Sequence, residues 1–361
     1  MRSTLALPLP LIPEQVDAAW LTVALAERFP AIVVERAEIR DIILGTSTKI
    51  RVVLDYNDAG RSAGLPQSLI VKGGFEAHSP AMQPMYFNEM RFYRDVQPHL
   101  EMRSPRCYYA ATDPASHQSI VIMEDLVARN VTFCDPLRPQ TRDQVARRLA
   151  AMARFHAQTW ASPEFKSGGR FDWLLGRHEG WSVVYQDRYL AAEVWQHYMS
   201  LPRGCAVARS LQDRGWMRRA LHDLGRDHVA VPHCLCHGDT HLGNLYEESD
   251  GTPGFFDMQV SRGPWQLEVT YHLVAAMDIV DRRRHDRELL RGYLAELRGH
   301  GISAPDFETA WEAHRREVVY GLFIFLINET RFQTESINTA YTARFGAAAL
   351  DYGTRELLGK H

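Results

Sequence analysis

The sequence predicts an α+β protein in which a strand-rich first third precedes a mainly helical remainder. Three observations carry this. β-Branched and apolar runs of strand length stand at 39–44, 50–56, 69–72 and 119–123. From residue 141 onward apolar residues recur at helical spacing instead. The 361 residues suffice for two modest domains or two lobes of one, expected as 1–123 and 124–361.

In order, residues 14–29 read as an amphipathic helix with Val16, Trp20, Val23 and Leu25 as apolar members. The strand at 39–44 leads through Gly45-Thr46-Ser47-Thr48-Lys49 into the strand at 50–56, a hairpin pattern. Backbone N–H groups of such a turn, Ser47 included, could lie over phosphates, although an ordinary hairpin explains a turn with one glycine equally well. Residues 57–60 make the next turn. The strand at 69–72 ends in Lys72, and a helical stripe follows through Tyr86, Glu89, Tyr93 and Val96. A carboxylate on an inward stripe needs a cationic partner, and Lys72 is the candidate. The strand at 119–123 runs into Glu124-Asp125-Leu126, which by itself reads equally as a strand-to-loop turn.

Thr141 and Gln144 form a capping-box pattern ahead of a helix carrying Val145, Leu149, Met152, His156 and Trp160 on one stripe. Between 161 and 230 stand Trp173, Trp181, Tyr185, Tyr189, Trp195, Tyr198 and Trp216, with no acidic cluster at one-face spacing. These are core residues in the main, and any that line a pocket would suit a less polar ligand. Helices are expected at 281–299, 305–331 and 340–358, with Arg282 to Arg284 on a solvated face.

Composition narrows the classes. A net charge of −3 with signs mixed along the chain leaves no basic stripe for a nucleic acid. Five cysteines without regular spacing fit a reducing compartment, hence the cytoplasm. The apolar stretch within 1–13 is short and broken by Pro8, Pro10 and Pro13, unlike a signal sequence, and the run at 318–327 is too short for a bilayer. No membrane partner is expected, and nothing indicates a homo-oligomer.

The chemistry concentrates in one stretch. Cys236-His237-Gly238-Asp239 is followed five positions after the aspartate by Asn244, and Asp257 ends a second short apolar run. A carboxylate that orients a hydroxyl proton, with an Asn and a second carboxylate holding Mg²⁺ against ATP phosphates, is what phosphoryl transfer needs. Asp239 and Asn244 alone would be ordinary turn residues; the spacing of all three groups argues for more. Cys234, Cys236, His237 and His241 raise a zinc reading, weakened because no second Cys/His pair stands at finger spacing.

His237-Gly238-Asp239 with Asn244 and then Asp257 resembles the aminoglycoside phosphotransferase and choline kinase group. Asp257-Met258-Gln259 is similar to the Asp-Phe-Gln of its ecdysteroid-kinase-like branch. The run from Phe87 to Tyr93, and Phe155-His156-Ala157 with Trp160, also resemble helices of that group. The resemblance spans roughly 35–300. It implies a bilobal protein-kinase-like fold, with a small antiparallel-sheet N-lobe and a larger, mainly helical C-lobe. It further implies ATP and Mg²⁺ as cofactors, a small hydroxylated acceptor, Asp239 as base, and Asn244 and Asp257 as metal ligands. Lys72 with Glu89 would serve the phosphates, and the main chain of Glu124 to Leu126 the adenine edge. His156, a lone histidine on an apolar face, reads as a satisfied core histidine that braces the catalytic loop. One departure is Glu268, counted back from Tyr271, where the group has an Asp behind that loop. No Asp-Phe-Gly or Ala-Pro-Glu-like segment supports a protein kinase. A pseudokinase would lack the base, the lysine or a metal ligand, and all are present. An aminoglycoside acceptor, a polycation, would want an acidic pocket.

Overall fold

The computed structural model describes residues 8–359. The N-terminal stretch read above as unlike a signal sequence lies, as far as Leu7, outside the described residues. The chain forms two compact units. One runs to His99 and takes in Arg103–Val131; the other takes Leu100–Met102 and continues from Thr132.

The first unit contains α1 (Ala18–Ala26), β1 (Val34–Ile43), β2 (Thr48–Tyr56), α2 (Asp58–Ser62), β3 (Ser68–Gly73), α3 (Ser79–Arg91), β4 (Cys107–Asp113) and β5 (Gln118–Glu124). Its five strands form one sheet in the order β1-β2-β3-β5-β4, every neighbouring pair antiparallel. Alternation along β2 buries Ile50, Val52, Leu54 and Tyr56, which share a core with Leu69, Val71 and the Trp20, Leu21 and Leu25 of α1. Lys72 therefore falls on the opposite face of β3 from Leu69 and Val71.

Three local expectations are refined here. The first helix starts at Ala18, not at 14, because the Asp17 carboxylate caps it by accepting the Trp20 N–H at 2.8 Å. The expected turn at 57–60 is an N-cap: Asn57 Oδ1 accepts the Gly60 N–H at 3.1 Å and opens α2. α3 begins at Ser79, its first turn hidden in the sequence by Pro80 and Pro84, and passes into a π turn at Phe92–Val96. The stripe of Tyr86, Glu89, Tyr93 and Val96 is buried throughout.

The second unit is mainly helical. Its long helices are α4 (Arg142–Thr159), α8 (Arg214–Val229), α9 (Trp265–Ala276), α10 (Ile279–Gly299), α11 (Phe307–Ile327) and α12 (Glu335–Asp351), with shorter α5 (Trp181–Tyr189), α6 (Ala192–Met199), α7 (Pro202–Cys205) and α13 (Thr354–Leu357). The Thr141/Gln144 capping box opens α4 as expected. Short strands β6 (Thr132–Phe133), β8 (Leu245–Glu247) and β9 (Pro253–Phe255) make one small sheet, and β7 (Cys234–Cys236) pairs with β10 (Ser261–Gly263) in another. α9 is buried along its whole length and carries Glu268 and Tyr271 inward. No described helix is long and apolar enough to cross a membrane.

The expected solvated face at 282–284 is corrected at Arg282. Its guanidinium is buried, paired with Asp286 at 3.4 Å and with Asp351 at the end of α12, because α12 closes over this turn of α10. Arg283 and Arg284 remain exposed.

Candidate functional site

In the first unit, Lys72 Nζ lies 2.7 Å from Glu89 Oε1 and 2.6 Å from Oε2, and each side chain is only 4% exposed. The lysine leaves the sheet on the face that α3 covers, so its charge meets the one carboxylate on the helix's inward stripe. Removing one partner of a buried pair strands the other charge. Lys72→Met is expected to cost about 3–5 kcal/mol in a denaturant titration. Lys72→Met/Glu89→Leu should recover most of that loss, and an equal loss in both variants would show that the stranded Glu89 charge is not its cause. The Thr46 carbonyl accepts from the Tyr86 hydroxyl and lies 3.1 Å from His78 Nε2, tying the β1–β2 turn to α3; Ser47 is buried in that turn.

Of the segment after β5, Glu124 accepts the Arg106 N–H at 3.2 Å and pairs with Arg129, and its own N–H goes to the Arg106 carbonyl. Leu126 is buried. Asp125, which no sequence signal singled out, holds the segment in place. Its carboxylate accepts from Arg51 Nε at 3.0 Å, Ser68 Oγ at 2.6 Å and the Val127 N–H at 3.0 Å.

In the second unit the loop after β7 carries Asp239, whose side chain is 32% exposed. Oδ1 accepts the Tyr271 hydroxyl at 2.9 Å and Oδ2 accepts Asn244 Nδ2 at 3.0 Å. Burial acts to raise the Asp239 pKa. The adjacent His241 ring, the Tyr271 hydroxyl and His237 act against it and prevail, so the carboxyl sits below its ordinary range. The group is an ionised carboxylate near neutrality.

Asn244 spends both Nδ2 hydrogens on Asp239, on Oδ2 and on the backbone carbonyl at 2.9 Å, which leaves its amide oxygen as the remaining polar atom. β8 and β9 pair in the register Leu245↔Phe255, and the next N–H, of Phe256, bonds the Asn244 carbonyl at 3.0 Å. Asn244 and Asp257 thus leave adjacent ends of one hairpin, Asp257 with a left-handed φ of 61°. Arg148 from α4 braces this hairpin by donating to the Gly254 carbonyl at 2.9 Å.

The loop's own shape is set from behind. His237 Nδ1 accepts the Asp239 N–H at 3.2 Å and Nε2 donates to the Phe256 carbonyl at 2.9 Å; burial pushes its pKa down, so the ring is neutral. Glu268 Oε1 accepts the Gly238 N–H at 3.0 Å, and Oε2 lies 2.8 Å from His156 Nε2, whose Nδ1 faces the Tyr293 hydroxyl at 2.8 Å. Glutamate therefore reaches the loop where the related pattern has aspartate. Burial would lower the His156 pKa, but bonds to Cys236 and Glu268 raise it to about 9. Gly238 has φ +87°, and a Cβ there would meet Arg177 Nη2 and the Gln259 carbonyl oxygen at 2.0 Å. Arg177 donates to both the Gly238 and Gln259 carbonyls, at 2.6 and 2.7 Å.

His241 caps the turn by accepting the Gly243 N–H at Nδ1, 3.0 Å, and its Nε2 lies 2.8 Å from Gln333 Nε2 and 3.4 Å from Asp239 Oδ2. The zinc reading is corrected in its membership. The buried sulfurs of Cys234 and Cys236 lie within 4.8 Å of a His156 nitrogen, while His237 and His241 are engaged elsewhere. His156 has no nitrogen left for a metal, and contact with Cys234 together with burial pushes the Cys236 thiol well above its ordinary range.

Sequence reasoning missed Tyr271 as an Asp239 partner, as well as Arg148 and Arg177. Tyr271 was visible only as the last residue of a motif; the arginines act on carbonyls far away in the chain and leave no local pattern.

The ecdysteroid kinase-like family model matches residues 46–170, a stretch that includes Lys72, Glu89 and His156 and ends before the Asp239 loop. No curated protein sequence matches the chain. Among solved structures, choline kinase from Cryptosporidium parvum Iowa II superposes with a TM-score of 0.51 at 11% identity, covering 89% of each chain. The GDP and kanamycin complex of APH(2″)-IIIa superposes with a TM-score of 0.50 at 12% identity, covering 85% of this chain and 89% of that one. The chain thus has the protein-kinase-like fold that these small-molecule kinases share, and carries the ecdysteroid kinase-like sequence pattern over residues 46–170.

Proposed function

We propose that this protein is a small-molecule kinase that transfers the γ-phosphate of ATP to a hydroxyl of a small, rather apolar acceptor. The observation that carries the reading is the ionised, partly exposed Asp239, with one oxygen fixed by Tyr271 and the other by Asn244. Each carboxylate oxygen keeps a lone pair for the acceptor O–H. Asp239 orients that hydroxyl and takes its proton as the bond to phosphorus forms; positioning matters more than a high pKa, because the transition state is loose. Asn244 Oδ1 and Asp257 fit a hard divalent cation that keeps several waters, so these two would hold Mg²⁺, which neutralises charge on the phosphates. Lys72, oriented by Glu89, would bind phosphate oxygens with the β1–β2 turn at Ser47, and the main chain from Glu124 to Leu126 would meet the adenine.

For the acceptor, a ring series runs from Trp181 to Tyr185, Tyr189 and Tyr198, with centroids 5.0, 4.5 and 5.7 Å apart. These rings suit a less polar acceptor, and the lack of an acidic cluster at one-face spacing over 161–230 disfavours a polycationic aminoglycoside. The five free thiols suit a reducing, cytoplasmic setting.

Thermal unfolding with and without Mg²⁺ and ATP or GTP tests the reading. A nucleotide at about 100 times its Kd adds roughly 2.7 kcal/mol and raises Tm by several degrees. In Asp257→Ala the shift should lose its Mg²⁺ dependence. No shift with either nucleotide, alone or with candidate alcohols, would sink the kinase reading; an unchanged Mg²⁺ dependence in the variant would sink the metal assignment alone.

A further inference from the structure

The second unit holds a cavity of about 380 Å³ where α10, α11 and the end of α12 meet. It lies away from the catalytic loop. Trp311 and Arg315 of α11 line it, whereas Phe325 of the same helix stacks on Tyr271 with centroids 5.5 Å apart. Fourteen residues of α-helix separate Trp311 from Phe325, about 20 Å.

Its lining is cationic. Arg282, Arg283, Arg287 and Arg315 face only two carboxylates, Asp286 and Asp351. Asp351 is already shared by Arg282 and Arg283, and Asp286 by Arg282 and the Tyr352 hydroxyl at 2.7 Å. Among the described residues no carboxylate pairs with Arg287 or Arg315. Arg287 Cζ lies over the Trp311 ring, 4.4 Å from its centroid, and 5.5 Å from that of Phe307, and its guanidinium makes no hydrogen bond to a described residue. Arg315 spends Nε on the Tyr352 carbonyl at 2.7 Å. Beneath them Arg282 is 1% exposed, so its guanidinium adds a buried positive charge to the floor of the cavity.

We propose that this cavity binds the phosphoryl group of a small anionic ligand, at a site separate from the nucleotide and acceptor. Four guanidiniums against two lining carboxylates leave a net positive charge that suits a phosphoryl group, even with Glu356 beside Arg315, and guanidinium forks match phosphate oxygens two at a time. Arg287 and Arg315 are its main donors, Arg283 stands at the mouth, and the buried Arg282 supplies the field from below.

The test is calorimetric titration of inorganic phosphate into the full-length chain without nucleotide, at ionic strength held constant with chloride. One saturable site is expected, weakened about tenfold or more in Arg287→Ala and in Arg315→Gln and unchanged in Asp257→Ala. Arg287 is exposed and Arg315 half-buried, and wild-type-like melting curves would verify that both variants fold. The absence of saturable binding to the wild type overturns the proposal. So does binding that survives both arginine substitutions, or that is lost in Asp257→Ala.

Discussion

Asp239→Asn should lower the rate of phosphoryl transfer by about 10²–10⁴-fold while leaving nucleotide affinity nearly unchanged. The geometry says why so conservative a change is expected to be severe. Oδ1 and Oδ2 each accept a hydrogen bond, one from a hydroxyl and one from an amide nitrogen. An amide in place of the carboxylate must present its NH₂ either to Tyr271 or to Asn244, and both of those groups are donating. The variant therefore loses the proton acceptor, while Asn244 keeps its Nδ2 bond to the backbone carbonyl of residue 239 and so its place as proposed metal ligand. Steady-state kinetics with any accepted alcohol measures the loss, and an unchanged Mg²⁺–nucleotide melting shift checks that nucleotide affinity is kept. Equal turnover by wild type and variant would remove Asp239 from the role of base.

The second large effect concerns stability. His156→Ala should destabilise the fold by about 3–5 kcal/mol, because it leaves the Glu268 carboxylate buried with its main partner gone. Glutamine at the same position, able to donate to Glu268 without charge, should lose less. The pair also predicts a pH dependence whose sign follows from the shifts. The folded His156 pKa of about 9 stands above its unfolded value. Its contribution is therefore fully present below about pH 6.5, and fades as the pH rises through 9. Glu268 is shifted the other way: burial opposes ionisation, but the His156 bond and charge prevail, so its contribution holds above the ordinary glutamate range and is lost as the pH falls through its depressed value. The wild type should thus lose about 2.5 kcal/mol between neutrality and pH 10 through His156, and the Gln variant should lack that component. A wild-type denaturation midpoint that stays level to pH 10 would show that His156 is neutral in the folded protein.

Much of this was legible where local chemistry repeats a known pattern. The Thr141/Gln144 box and the period-two burial of β2 each follow from spacing that one element alone displays, and the Lys72–Glu89 pairing from the need of a carboxylate on an inward stripe for a cation. What stayed hidden depends on side chains meeting across long sequence separations. Arg282 sits in a run of arginines that reads as surface, and only the end of α12, with Asp351, makes its turn interior. Tyr271 follows a buried stretch of α9 like any core aromatic until its hydroxyl is seen on Asp239. Helix starts were misjudged where a cap or a proline decided them, at Asp17 and at Pro80.

The two arginines that grip main-chain carbonyls set a difference between the loop's frame and its working group. Arg177 on Gly238 and Gln259, and Arg148 on Gly254, join a permanent cation to a peptide dipole, so neither end of the clamp exchanges a proton at any working pH. Acid acts instead on the titratable groups, Asp239 itself and the His237 and Glu268 that hold its loop, so inactivation on that limb should begin there while the hairpin behind stays clamped.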